Sequence, residues 1–353
     1  MRDDLAGLCR AMVDIPSVSH SEAALADFVV EHLSAVPGVG ISRFGNNVVA
    51  RVGPERSRTV IVAGHMDTVP PDGNELSQLR DGRIYGLGSA DMKGGLAVML
   101  GLAEEARNFA FGVTFIFYAC EEVASEFSGL LEIERNMPEV LRADVAVLME
   151  PTAAHIEAGC QGTMRVRVEV RGTRAHTARP WMGKNAIHRL GAFIGRASNA
   201  PLLNPMIDGL EFQESLQVVQ VDGGVANNVV PDKATMILNY RFAPDKDVRS
   251  AFSFVSSLFE DFLEPDDVVE MEEGVPGALP SLVHPFVSDL LAASGRSPRA
   301  KLGWTDVAFF AGRGIPATNF GPGDPLLAHT RSEYVDVSEI NSVFGAMKVA
   351  LGR

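Results

Sequence analysis

The sequence predicts an α/β protein: an α/β sandwich built on a mixed, largely parallel sheet, interrupted by an inserted ferredoxin-like α+β domain. Three observations predict it. Short, nearly continuous apolar runs at 48–52, 59–63, 113–118 and 145–149 alternate with a helix-patterned segment, as in a sheet covered on both faces. After Pro151 the texture changes to strict alternation, MRVRVEVR at 164–171, which suits a half-exposed strand. From Pro285 the first texture resumes. A chain of 353 residues is more than twice the usual domain of about 150, so two domains are expected.

The elements follow in order. Segments 3–14 and 21–34 carry apolar residues at helical spacing (Leu5, Leu8, Met12; Leu25, Phe28, Val29, Leu33), with Ser21 placed to cap the second. KGGLAVMLGLAEEAR at 93–107 reads as a helix. In the inserted part, strand 164–171 is followed by a helix near 184–197 and strands near 215–222 and 233–242. A helix near 246–263 and a strand near 266–272 complete it. That β-α-β-β-α-β order is ferredoxin-like. A helix at 285–294 and a short strand at 314–321 return to the first domain. The expected division is 1–159 with 275–353 as one discontinuous domain, and 160–274 as the insertion.

Composition narrows the function. Hydrophobic residues make up 46% and charged residues 22%, with mean hydropathy +0.09, an ordinary globular mix. No apolar run approaches the roughly 18 residues of a membrane span. The start, MRDDLAGLCRAMVDIPS, has acids where a secretory signal needs bases, so a cytoplasmic protein is expected. Cys9, Cys120 and Cys160 are too few and scattered for a disulfide framework or a thiolate zinc site. A net charge of −14 makes the chain a poor nucleic-acid binder. Arg165, Arg167, Arg171, Arg174, Arg179 and Arg189 nevertheless cluster, either as a solvated strand face or as a local anion site.

The chemistry lies at strand ends. TVIVAG runs into His65-Met66-Asp67, VTFIFYA into Cys120-Glu121-Glu122, and VAVLM into Glu150. The strand at 314–321 leads through a Gly/Pro loop to His329, and Asp91 closes the loop GLGSAD just before a helix. Open α/β sheets build their sites at the carboxyl ends of strands. One Asp or Glu after a strand is an ordinary cap, and a lone His is an ordinary core or surface residue. Here the pattern recurs with complementary O and N ligands and no thiolate, which suits Zn²⁺, Mn²⁺ or Co²⁺ in a hydrolytic site.

These motifs carry a family resemblance. GHMDTVP at 64–70, GSADMKGG at 88–95, Glu121-Glu122, Glu150-Pro151 and the late His329 together resemble the M20 metallopeptidase family, in the family's order and over nearly the whole chain. The resemblance implies a catalytic α/β domain with an inserted ferredoxin-like lid, and two Zn²⁺ per chain, with Co²⁺ or Mn²⁺ acceptable to the same ligands. It implies that Asp91 bridges the two ions, that His65 and Glu150 complete one, and that Glu122 and His329 complete the other. Asp67 would orient His65, Glu121 would be the general base, and His176, in RGTRAHTARP at 171–180, would donate to a developing oxyanion. Homodimerisation through the inserted domain is implied as well, by a lid-strand edge near 175–185.

Within the family, CEEV at 120–123, EAGCQGTMR at 157–165, LGWTD at 302–306 and NFGPGDPLLAH at 319–329 resemble the desuccinylases that cleave N-succinyl-LL-2,6-diaminopimelate to succinate and LL-2,6-diaminopimelate. Asn227, Asn228 and Arg241 match that group's substrate-binding lid positions, and Gly303 and Trp304 lie in the LGWTD stretch. Other desuccinylases carry an arginine where this chain has Cys160, which turns attention to Arg179 for a carboxylate contact. On the residues alone, Arg241 shares a strand face with Asn239 and either pairs with Asp245 or Asp247 or awaits an anion. Two rivals stand beside this reading: another amidohydrolase of the family (an acetylornithine deacetylase, an N-acyl amino acid hydrolase or a dipeptidase), and a dimeric binding protein without chemistry.

Overall fold

The computed structural model describes residues 4–52 and 56–353. The chain divides into two compact units: residues 4–158, 281–299 and 309–353, and residues 159–280 with 300–308. The insertion thus runs past the expected 274 to residue 280 and takes in 300–308. The periodic pattern fades near 274 because the strand ends at Val275, whereas the loop beyond it stays on the same unit: Ala278 and Cys160 exchange backbone hydrogen bonds of 3.0 Å.

The first unit is organised by an eight-stranded sheet in the order Val39–Phe44, Asn47–Val52, Gly112–Tyr118, Thr59–His65, Val145–Leu148, Ala317–Asn319, Glu157–Ala158, Arg299–Ala300. Thr59–His65 runs parallel to both of its neighbours, and Val145–Leu148 runs parallel to Ala317–Asn319. Strands toward the rims pair antiparallel. The central strands are buried at almost every position because helices cover both faces, which is why they read as unbroken Val/Ile/Phe runs.

The helix Gly94–Glu105 is buried from Gly94 through Ala103, so its sequence is apolar all round rather than on one stripe. Gly95 is required by close approach: a Cβ there would meet the Met149 carbonyl oxygen at 2.3 Å. The contact seats the helix, and the Asp91 loop ahead of it, against the strand end that carries Glu150. The first helix is Leu5–Val13, capped by the Asp4 carboxylate on the Gly7 amide; the expected start at residue 3 lies outside the described residues. The second is Ala23–Ser34, and Ser21 does not cap it. Instead Glu22 takes the N-cap position while its buried carboxylate accepts from the His20 and Cys120 amides. Long-range partners for that carboxylate outweigh a local serine cap.

The second unit holds a four-stranded antiparallel sheet in the order Ser215–Gly223, Lys233–Phe242, Gly162–Arg171, Val268–Val275. Helices Ala186–Ser198 and Val248–Ser257 cover one face. Val166, Val168, Val170, Leu238, Tyr240 and Phe242 all point into that core. The expected lid-strand edge near 175–185 is different in kind. Only Ala175–His176 is extended, paired with Val229–Val230, and residues 180–182 form a 3-10 turn. Pro180, which opens the turn, cannot donate to a ladder there, and the free edges of the sheet are Ser215–Gly223 and Val268–Val275. Most clustered arginines are paired within the second unit: Arg165 with Glu273 at 2.8 Å, Arg167 with Glu270 at 2.9 Å, Arg171 with Glu169, Arg174 with Asp232 at 2.8 Å, and Arg189 with Asp267 at 2.6 Å. The solvated strand-face reading holds for Arg165, Arg167 and Arg171, whereas Arg174 lies beyond the strand and Arg189, on the helix Ala186–Ser198, is largely buried. Among the described residues no helix is long and apolar enough to cross a membrane.

Candidate metal centre

The first unit gathers its polar strand ends at one place. Thr59–His65 ends in His65, the turn after Gly112–Tyr118 presents Glu121 and Glu122, and Glu150 follows Val145–Leu148. Parallel neighbours end on the same side, so these groups converge without any long connection. Asp91 arrives on a short irregular turn, Ser89–Lys93, whose Asp91 and Met92 are non-helical and whose Asp91–Met92 peptide is cis. His329 arrives on a loop with its own φ at +62°.

Three triplets form in which the candidate ligand atoms all lie within 4.8 Å of one another: His65, Asp91 and Glu150; His65, Glu121 and Glu122; Asp91, Glu122 and His329. Asp91 is common to the first and the third. Its Oδ1 is 3.0 Å from His65 Nε2 and its Oδ2 is 3.6 Å from His329 Nε2. His329 Nε2 is also 2.8 Å from Glu122 Oε1.

The tautomer at His65 tests whether a cation fits. His65 Nδ1 lies 3.0 Å from the Asp67 backbone carbonyl oxygen, which can only accept, so Nδ1 carries the proton of a neutral ring. Nε2 is then an acceptor facing the Asp91 carboxylate, another acceptor, at 3.0 Å. Only a proton or a metal cation between them satisfies both. Without a cation the ring holds a proton strongly: burial opposes it, but the Asp67 and Asp91 carboxylates raise His65 well above ordinary imidazole basicity. Hydrogen bonding to Glu122 likewise raises His329. Hard oxygen and nitrogen donors, four carboxylates against two imidazoles, fit divalent cations such as Zn²⁺, Mn²⁺ or Co²⁺.

Asp67 is the keystone behind these groups. It is fully buried and accepts from the Glu121 amide at 3.0 Å, the Glu122 amide at 3.0 Å and the Ser19 hydroxyl at 2.8 Å. Its Oδ1 is 3.5 Å from His65 Nδ1. Burial would push this carboxyl up, but hydrogen bonding to His65 and the two amides holds it at about 2. Cys120, just before the pair, has φ at +58° and a thiol pushed up to about 12 by burial beside His20 and Glu22, so it is inert rather than nucleophilic.

The remaining residues singled out from the sequence all fall in the second unit. His176 is exposed, with Nδ1 accepting from the Ala178 amide at 3.0 Å, and the backbone brings it beside Arg179 and Asn228. Arg179, Asn227, Asn228 and Gly303 are exposed, and Trp304 is half-buried with its indole N–H on the Pro276 carbonyl at 3.2 Å. Arg241 is half-buried, and desolvation lowers its pKa. Neither expected pairing forms: Asp245 lies 3.5 Å from Lys246, and the Asp247 carboxylate caps the Ser250 amide. Sequence reasoning missed Ser19 and Glu333, which touch the site through Asp67 and the Asp91 amide. The only signal for Glu333 was its place four residues after His329.

A sheet whose strand ends carry a shared-carboxylate cluster of hard ligands defines the class, a metal-dependent hydrolase type of centre. Residues 61–351 match the Peptidase family M20/M25/M40, and the chain belongs to that family. Over 353 residues it is 47% identical to a Mycobacterium tuberculosis protein described as a succinyl-diaminopimelate desuccinylase, covering 100% of this chain and 99% of the relative. It is 45% identical over 349 residues to the succinyl-diaminopimelate desuccinylase of Corynebacterium glutamicum, covering 97% and 94%. In fold it is similar to an aminopeptidase, PepT, of Bacillus cereus, with a TM-score of 0.81 at 20% identity, over 99% of this chain and 98% of that one.

Proposed function

We propose that the protein is a metal-dependent amide hydrolase that cleaves N-succinyl-LL-2,6-diaminopimelate to succinate and LL-2,6-diaminopimelate. The observation that carries this reading is identity of 45–47% to the two desuccinylase relatives along essentially the full chain. The ligand triplets that meet at Asp91 support two ions per chain: His65 and Glu150 with Asp91 for one, Glu122 and His329 with Asp91 for the other. Two zinc ions, or cobalt or manganese on the same ligands, would polarise the amide carbonyl and acidify water. The chain's own residues would do the rest. Asp67 fixes the proton on His65 Nδ1 and holds the Glu121 and Glu122 amides. Glu121 takes a proton from the attacking water and returns it to the leaving amine, so one water is consumed for each amide broken. His176 donates to the oxyanion. Arg241, a half-buried guanidinium with no ion pair among the described residues, binds a substrate carboxylate through its planar fork, with Arg179, Asn227, Asn228, Gly303 and Trp304 completing the substrate contacts. Three buried free thiols suit a cytoplasmic setting. Side-by-side hydrolysis of N-succinyl-diaminopimelate, N-acetylornithine and dipeptides by metal-loaded protein tests the assignment. A preference for either of the last two substrates overturns it, and no hydrolysis of any of them leaves the binding protein.

A homodimer through the inserted unit belongs to the same proposal. The free edge strand Ser215–Gly223 exposes Val219 and Val221, and the turn at 180–182 of the same unit exposes Trp181 at 75%, apolar surface suited to a second copy. If His176 serves the partner's site, mixing inactive His176→Ala and Glu121→Gln proteins restores activity. No recovery after verified subunit exchange refutes the shared site.

A further inference from the structure

We propose that Glu333 is a positioning residue: its buried carboxylate clamps the loop 86–91 in the conformation that aims both Asp91 oxygens at the two imidazoles. This rests on the metal-centre reading above. Glu333 is only 2% exposed. Its Oε1 accepts from the Ala90 amide at 2.9 Å and the Asp91 amide at 3.0 Å, its Oε2 from the Gly88 amide at 3.0 Å, and its carbonyl from the Gly86 amide at 3.2 Å.

The loop needs such a clamp. Asp91 (φ −117°, ψ 90°) and Met92 (φ −135°, ψ 38°) interrupt the helical path ahead of Gly94, so the amides leading up to Asp91 gain no partner from a regular helix. A carboxylate meets this demand because it only accepts and has two oxygens. A glutamine would turn an N–H₂ toward at least one of the three N–H groups.

Glu333 is itself held on a frame that carries a ligand. Its amide donates to the Thr330 carbonyl at 3.1 Å, closing the turn 330–333 that directly follows His329. The strand Tyr334–Asp336 that follows pairs with Arg83–Tyr85, which leads into the same loop. One residue thus ties the turn that follows His329 to the loop bearing Asp91, and sets the relation on which the shared carboxylate depends. Because Asp91 belongs to both metal triplets, misplacing it weakens both ions rather than one.

The test compares wild type with E333Q in two readouts: zinc affinity by competition with a chromophoric chelator, and the visible absorption of the cobalt-loaded protein. Glu214→Gln is the control, since Glu214 is also a buried carboxylate, holding the Tyr240 hydroxyl at 3.0 Å, the Ala243 amide at 3.0 Å and Lys246 at 2.7 Å in the second unit. The expected result is a zinc affinity about 10- to 100-fold weaker in E333Q with an altered cobalt spectrum, the scale for losing a group behind a ligand. Glu214→Gln keeps wild-type affinity and spectrum. Should E333Q not fold, E333D, which withdraws the oxygens by one methylene, is measured in the same way. A folded variant with wild-type affinity and spectrum overturns the proposal, as does an equal loss in Glu214→Gln. Wild type that takes up neither zinc nor cobalt refutes the metal-centre reading itself, a separate outcome.

Discussion

Replacing Asp67 with alanine isolates the framework from the chemistry. The substitution deletes an acceptor shared by the Glu121 amide, the Glu122 amide and the Ser19 hydroxyl, all at 2.8–3.0 Å. A buried donor left without a partner costs about 1–3 kcal/mol. Glu121 and Glu122 are half-buried, so water reaches part of the gap and the low end applies, giving about 3 kcal/mol for three donors. Metal affinity falls in addition by about 10- to 100-fold, because the ligand Glu122 loses the acceptor that fixes its amide and His65 loses the negative charge 3.5 Å from Nδ1, while its bond to the backbone carbonyl remains. Both tryptophans, Trp181 and Trp304, lie in the second unit, so their fluorescence would miss the loss. Urea unfolding of the chelated protein is therefore followed by far-ultraviolet circular dichroism, and zinc uptake by chelator competition. Stability within about 0.5 kcal/mol of wild type, the range of an indifferent surface change, together with unchanged zinc affinity would refute the keystone role.

The Asp67 carboxyl also makes stability pH-dependent. Its folded value of about 2 lies below the ordinary 3.8, so its contribution is complete above about pH 4 and is lost as pH falls toward 2. Acid titration of the chelated protein should show a loss of about 2–3 kcal/mol over that window, absent in Asp67→Ala. Glu121→Gln retains the metals but turns over at least about 10²-fold more slowly, because the amide cannot accept the water's proton; turnover within a few-fold of wild type removes Glu121 from the role. Arg241→Ala raises KM by about ten- to a hundred-fold with a smaller fall in kcat, the loss of charge-assisted bonds worth roughly 1.5–3 kcal/mol, and lysine rescues only partly. An unchanged KM in folded, metal-loaded protein shifts the carboxylate contact to Arg179.

The two textures, and with them the fold class, are legible along the chain before any folding is considered. Strands buried on both faces must be apolar throughout, as at 59–65 and 112–118, and a strand with one solvated face must alternate, as at 164–171. Candidates for the centre are legible in the same way, since strand-end His65, Glu122 and Glu150 stand directly after the runs that place them. Periodicity says where regular backbone continues and little about what loops do, so the 300–308 segment and the turn at 180–182 were not legible. Hydrogen-bond partners distant in the chain decided the rest. Glu22 displaced Ser21 at a helix start because the Cys120 amide, 98 positions away, needed its carboxylate. Glu333 reaches across 242 positions to the Asp91 amide. Such a pairing satisfies a backbone group that only the folded chain buries, and no local pattern along the chain encodes it.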